Sequence, residues 1–170
     1  YEIFEEGKCL ILFPEGISLA GRALFKIKTG AARIALNAEK RNDFSLGLKI
    51  IPIGLNYSDA SRFKSDVYIK YGDPISLDTY KDTVDEDFNA TVEQITHLIE
   101  QRLLDLTTNL SFIELEDSIG YLEIIYKNEL FLQNSLGKKR KYDDFTISKG
   151  IIDVVESYLE NNPDEQREFV

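Results

Sequence analysis

Apolar and polar positions fall into three regimes: a continuous apolar run at residues 9–13 and a second apolar run at 48–55, alternation over 66–71, then three- and four-residue spacing to the end. The first run, Cys9 to Phe13, predicts a buried strand that stops at Pro14. Thr29 offers an N-cap for a helix over 30–41 with Ala31, Ile34, Ala35 and Ala38 on one face. Strand, crossover helix and strand make the parallel unit of an α/β fold. Pro52 removes a ladder donor from the second run, so that strand should lie at an edge or carry a bulge. Val67, Ile69 and Tyr71 alternate with Asp66, Tyr68 and Lys70 up to Gly72, which predicts a half-exposed strand.

Beyond Pro74 the texture is helical. Thr83 with Glu86 forms a capping-box pair, followed by Phe88, Val92, Ile95, Ile99, Leu103 and Leu106 on one face. Ser111 with Glu114 forms another, ahead of a helix with Ile119, Leu122, Ile125, Tyr126 and Leu130 inward. A third helix is expected from about Ser148 through Ile151, Val155 and Tyr158, and Asn162 before Pro163 marks the start of a short last one. The run Lys138 to Lys141 reads as a solvated loop, with contact to an anionic membrane or a nucleic acid as the sharper alternative.

Composition changes this picture in two ways. The net charge of −10 is uneven: residues 1–75 carry 11 basic against 9 acidic side chains, residues 76–170 carry 9 against 21. The acidic half argues against tight nucleic-acid binding and spontaneous adsorption to anionic lipid, while solvated helix faces account for most of the charge. Secondly, one Cys and one His exclude a disulfide framework and a zinc site, and Cys9 reads as a small core residue. No apolar run reaches the roughly 18 to 20 residues of a membrane span. The chain starts at Tyr1 and has no Met, so we read it as a piece of something longer.

Candidate chemistry sits where the first run ends. Pro14 and Gly16 form a stiff turn that presents Glu15, and Gly16 allows a close backbone approach or a positive φ. Glu15 reads either as a structural carboxylate accepting local backbone N–H groups or as a binding group. From Gly16 to Arg41 the chain carries Arg22, Lys26, Lys28, Arg33, Lys40 and Arg41 against the single acid Glu39. Lys28 and Gly30 at the head of the 30–41 helix make a plausible anion site, with phosphate the obvious candidate. Arg33, Lys40 and Arg41 read as a solvated face.

Phe13, Pro14, Glu15, Gly16 and Ser18, followed by Lys26, Lys28 and Gly30, resemble the third signature block of the glycerolipid acyltransferases. Ile51, Pro52 and Ile53 are similar to the fourth block. Arg62 to Ser65 and Gly72 to Ile75 match the branch that resembles fungal-type glycerol-3-phosphate and dihydroxyacetone-phosphate acyltransferases. The resemblance covers about residues 1 to 76. It implies the C-terminal half of an α/β acyltransferase domain over 1–80, with Tyr1 to Gly7 as the helix leading into the strand. An acidic helical region follows over 81–170.

The resemblance implies transfer of a fatty acyl group from acyl-CoA or acyl carrier protein to a hydroxyl of glycerol 3-phosphate or a lysophosphatidic acid, without a cofactor. Phe13, Pro14, Glu15, Gly16, Ser18, Arg22, Lys28 and Pro52 become the substrate-binding residues. Where many members place Thr-Arg-Ser, this chain has Ile17, Ser18 and Leu19, so Arg22 or Lys28 must supply the phosphate-binding charge. The family's base is a His five positions before an Asp, ahead of the third block. The only histidine here, His97, is followed five positions on by Arg102 and reads as a helix-face residue. This chain alone is therefore expected to be inactive. The whole protein would be cytoplasmic and peripheral to the inner face of a membrane, with no nucleic-acid partner. The rival is a non-catalytic interaction module built on a degenerate acyltransferase fold.

Overall fold

The computed structural model describes residues 2–17, 21–58, 63–135 and 144–163. Ser18, Arg62, the basic run from Lys138 to Lys141 and the segment after Pro163 lie outside them. The chain divides into two compact units that interleave in sequence. One comprises Tyr1–Leu19, Phe25–Gly54 and Ile69–Leu106, the other Ala20–Leu24, Leu55–Tyr68 and Thr107–Val170.

In the first unit a single turn, α1 (Glu2–Glu5), precedes the expected helix, α2 (Gly30–Arg41). The core face of α2 is Ala32, Ala35, Leu36, Ala38 and Glu39, so the expected Ala31 and Ile34 sit only at its margin. Thr29 is not a side-chain cap. Its own backbone is helical, and its Oγ1 instead accepts a hydrogen bond from Arg33 Nε.

Two short ribbons replace the expected parallel unit. Strand β1 (Lys49–Ile50) pairs antiparallel with β4 (Ile75–Ser76), Ile50 opposite Ile75. Strand β2 (Ile53–Tyr57) pairs with β3 (Val67–Tyr71). Gly72 N–H donates to Pro52 C=O and Ser58 N–H to Asp66 C=O, both 2.9 Å, which makes this ribbon antiparallel too. The break between β1 and β2 falls at Ile51 and Pro52, where the proline lacks its donor.

The buried strand expected at 9–13 does not form. These residues join no ladder, Ile11 and Phe13 are 79% and 74% exposed, and Cys9 is exposed as well. An all-apolar strand is stable where both edges pair and both faces are covered, and neither holds here. The apolar set of the second ribbon is likewise turned outward: Ile53, Leu55, Tyr57, Val67, Ile69 and Tyr71 are exposed. Its inward positions are Gly54, Asn56, Tyr68 and Lys70. A Cβ on Gly54 would lie 2.3 Å from the carbonyl oxygen of Leu106, so only a face without a side chain there approaches so closely.

Helices α3 (Lys81–Glu86) and α4 (Phe88–Leu106) complete this unit. Val92, Ile95, Ile99 and Leu103 are buried as expected, and α4 packs on the alanine-rich face of α2. The cap is Asp87 rather than the Thr83 and Glu86 pair. Asp87 Oδ1 accepts the Ala90 N–H at 3.0 Å, while Thr83 lies inside α3 and donates to Tyr80 C=O. Extended backbone at Asp87 ends one helix and starts the next.

The second unit is built on α5 (Glu116–Ser135) and α6 (Asp144–Asn161), which pack together. Its core is Leu110, Leu115, Ile119, Ile152 and Leu159, with Ile151 and Val155 at the margin. Helix α6 begins at Asp144, ahead of the expected Ser148, and leaves Tyr158 exposed. Of the face expected for α5, Ile119 is fully buried, Leu122 is half-buried, Ile125 and Tyr126 are exposed, and the side chain of Leu130 lies outside the description. The buried neighbour one turn on is Glu123. Ser111 is not the residue of a capping box with Glu114: its N–H donates to Glu156 Oε1 at 2.6 Å.

After α2 the chain turns through left-handed Asp43, Phe44 and Gly47, and the buried carboxylate of Glu39 accepts the N–H groups of Leu46 and Leu48. Glu39→Ala strands both donors, at about 1–3 kcal/mol each, whereas Glu39→Gln keeps one acceptor and should lose less. Urea midpoints check the order; equal stability of Glu39→Ala and wild type would contradict this role.

Candidate functional site

Four of the expected site residues form one turn. Gly16 N–H donates to Phe13 C=O at 3.1 Å, and Gly16 adopts a left-handed φ of +69°, one of the two uses its sequence context allowed. Two further bonds tie the turn to the segment that leads into α2. Phe25 N–H donates to Glu15 Oε2 at 3.1 Å, and Lys28 N–H donates to Pro14 C=O at 2.8 Å. Glu15 is thus the local backbone acceptor that one reading of its sequence context allowed, and it stays half-buried with a second oxygen to offer.

These bonds bring Lys28 over the glycine. A Cβ on Gly16 would stand 2.5 Å from Lys28 Nζ, so the ammonium occupies the space that a side chain would take. Gly30 opens α2 two residues later, and the first turn of α2 has no acidic side chain. A carboxylate, an ammonium and a helix start unopposed by acid therefore meet in one stretch of the first unit. That set can accept hydroxyl protons and attract an anion. Phe13 is exposed beside it. Pro52, also of this unit, is buried and bonded through its C=O to Gly72.

Arg22 is employed elsewhere. In the second unit its guanidinium makes a two-pronged pair with Glu123, 2.7 and 2.8 Å, with Glu116 3.9 Å from its Nε. Lys127 Nζ lies 3.8 Å from Glu123 and donates to Ser148 Oγ at 2.9 Å. A cavity of about 30 Å³, with room for about one water, is lined by Arg22, Glu123, Lys127 and Ser148 together with Asn56. Burial pushes the Glu123 carboxyl upward, but hydrogen bonds from Arg22 and Ser148 and the charges of Arg22 and Lys127 outweigh it, holding Glu123 below its ordinary value. The same pair holds Arg22 above its ordinary value.

Glu123, Asn109 and Phe25 were missed from sequence. A signal for Glu123 was present: a glutamate one turn after Ile119 and one turn before Lys127 interrupts the stripe that should face the core. Phe25 acts through its backbone, which no side-chain pattern reports. His97 is exposed on α4, with Nδ1 3.6 Å from Glu100. Among the described residues, no helix is long and apolar enough to cross a membrane.

Residues 1–56, which hold the carboxylate turn, Lys28 and Pro52, match the profile of the family described as Acyltransferase. The chain is also 34% identical over 94 residues to "Glycerol-3-phosphate O-acyltransferase 2" of Saccharomyces cerevisiae, covering 52% of this chain and 12% of that protein. Over this stretch the chain is similar to glycerolipid acyltransferases. "Glycerol-3-phosphate O-acyltransferase 1" of the same yeast is 32% identical over 77 residues, 45% of this chain and 10% of the relative. An uncharacterised acyltransferase of Schizosaccharomyces pombe is 35% identical over 74 residues, 44% and 11%. The chain thus aligns with about a tenth of the length of these curated acyltransferases. No solved structure matches it.

Gly16→Ala forces a side chain into left-handed backbone and against Lys28, and should cost about 1–2 kcal/mol, read by urea denaturation; an unchanged midpoint would contradict the turn. The Glu123 pair gives a pH signature. With a folded value below the unfolded one, its contribution is complete above the unfolded carboxyl value and lost as pH falls through the folded value. The stability gap between wild type and Glu123→Gln should be flat above the ordinary carboxyl range and shrink as the pH falls through and below it, as followed by urea titrations; a pH-independent gap would rule this out.

Proposed function

We propose that this chain supplies the acceptor side of an acyltransferase that moves a fatty acyl group from acyl-CoA or acyl carrier protein to glycerol 3-phosphate or a lysophosphatidic acid. The observation that carries the reading is the convergence of Glu15, Gly16 and Lys28 ahead of α2. Lys28 and the first N–H groups of α2 attract the acceptor phosphate, and the free oxygen of Glu15 accepts from a glycerol hydroxyl. Of the two cations weighed for the phosphate, Lys28 is favoured, because Glu123 already neutralises Arg22. Ser18 and Pro52 enter through their places in the family blocks alone. The glycerol-3-phosphate O-acyltransferase names of the two budding-yeast relatives favour this acceptor class.

In the reaction the acceptor oxygen attacks the thioester carbonyl, the C–S bond breaks, and the hydroxyl proton passes through a base to the leaving thiolate. That base, a His held by an Asp in the family pattern, belongs to a part of the protein beyond this chain. The chain by itself is then inactive, and any membrane attachment and cytoplasmic placement are properties of the whole protein. In this reading residues 1–80 form the acyltransferase portion and 81–170 a helical region.

A second reading, a non-catalytic interaction module on a degenerate acyltransferase fold, draws on the exposed Tyr121, Ile124 and Ile125 of α5. The residues encoded just ahead of Tyr1 separate the two: a His with an Asp five positions later is expected for the enzyme. In the complete protein assayed with labelled glycerol 3-phosphate and an acyl thioester, Glu15→Ala and Lys28→Ala should each lower kcat/KM for the acceptor by about tenfold or more. Full activity in both variants would overturn the site.

A further inference from the structure

Arg33 stands one turn into α2 and belongs, with Glu15, Lys28, Thr29 and Phe88, to the first unit. Its N–H donates to Thr29 C=O at 2.9 Å, the bond that begins the helix, and its Nε donates to Thr29 Oγ1 at 3.3 Å. The side chain therefore leans back toward the open end of α2, the direction in which helical side chains point, and stops beside the residue that follows Lys28. Phe88, the first residue of α4, lies against the guanidinium with its ring centroid 6.0 Å from Cζ. A hydroxyl at Nε and a ring against one face restrict the plane of the group. Its Nη1 and Nη2 have no partner among the described residues.

The other arginine and lysine side chains weighed for this region are spent on carboxylates. Lys40 Nζ donates to Asp85 at 3.0 Å, and Arg22, in the second unit, is neutralised by Glu123. Arg33 is exposed, as its place on a solvated face led us to expect, but a fully solvated arginine would need neither the hydroxyl nor the ring. Both contacts orient the charge without cancelling it. The outer edge of the guanidinium, with its parallel N–H groups, fits two oxygens of one phosphate. We propose that Arg33 is a second phosphate-binding residue of the acceptor site, receiving phosphate oxygens on Nη1 and Nη2, with Thr29 and Phe88 as the residues that position it. This rests on the reading of Glu15, Gly16 and Lys28 as that site. It supplies from α2 the guanidinium that Ile17, Ser18 and Leu19 lack.

The test is steady-state kinetics on the complete protein with glycerol 3-phosphate and an acyl thioester. Arg33→Gln should raise the acceptor KM about fivefold or more while the thioester KM stays within about twofold. Arg33→Lys keeps the charge and loses the fork, so its acceptor KM should fall between those of wild type and Arg33→Gln. Thr29→Val keeps the charge and removes the hydroxyl that orients it, and should raise the acceptor KM about two- to threefold. An acceptor KM unmoved in Arg33→Gln, or one that rises in step with the thioester KM, would overturn the proposal. An acceptor KM that responds to Arg33→Gln and not to Thr29→Val would remove Thr29 from it. If Arg33→Gln lowers the urea midpoint, Thr29→Val and Arg33→Lys decide the matter. Full activity in both Glu15→Ala and Lys28→Ala would overturn the acceptor site and Arg33 with it, whereas losses in those two beside an unmoved Arg33→Gln would overturn Arg33 alone.

Discussion

A backbone N–H that no helix or ladder satisfies has to find an oxygen elsewhere, at a cost of about 1–3 kcal/mol if it fails inside the protein. This chain has long irregular stretches and short ribbons, and side-chain oxygens meet the need at each critical point. Glu15 takes Phe25, Glu39 takes Leu46 and Leu48, Asn56 takes Thr108, Asp87 takes Ala90, Asn109 takes Leu24 and Glu156 takes Ser111. These contacts, more than the strands, set where the chain goes between its helices. They also show that part of the acidic composition is structural and not merely a solvated coat.

That use of acids explains which parts of the fold were legible. Helices α2 and α4 were readable because their apolar spacing is local and strong, and the break at Pro52 and the turn at Gly16 because proline and glycine act on their own backbone. The two capping boxes were misread because a better cap, Asp87, or a distant acceptor, Glu156, won the competition. The face of α5 was misjudged because its rotation depends on Arg22, 101 residues away from Glu123 in sequence. The run at 9–13 was misjudged because an apolar pentapeptide states a preference for burial without saying whether a neighbour exists to bury it.

The candidate site divides along the same line. Glu15, Gly16 and Lys28 lie together as their order in the chain suggested, since a turn followed by a helix start is local geometry. Arg22 lay on the same stretch and carried the same charge as Lys28, yet its guanidinium is held by a glutamate on α5. Electrostatic neutralisation by a distant acid cannot be read from a run of cations.

The outward row of the second ribbon, Ile53, Leu55 and Tyr57 beside Val67, Ile69 and Tyr71, has one more consequence. β-branched and aromatic side chains on a two-stranded ribbon are a template for further pairing, and apolar burial does nothing to prevent it here. Separation between copies then rests on mutual repulsion, supplied by a net charge of −10 at pH 7. That repulsion fades as the medium approaches the isoelectric point of about 4.7, so the acid-rich half of the chain, beyond its structural uses, also keeps copies of the ribbon apart.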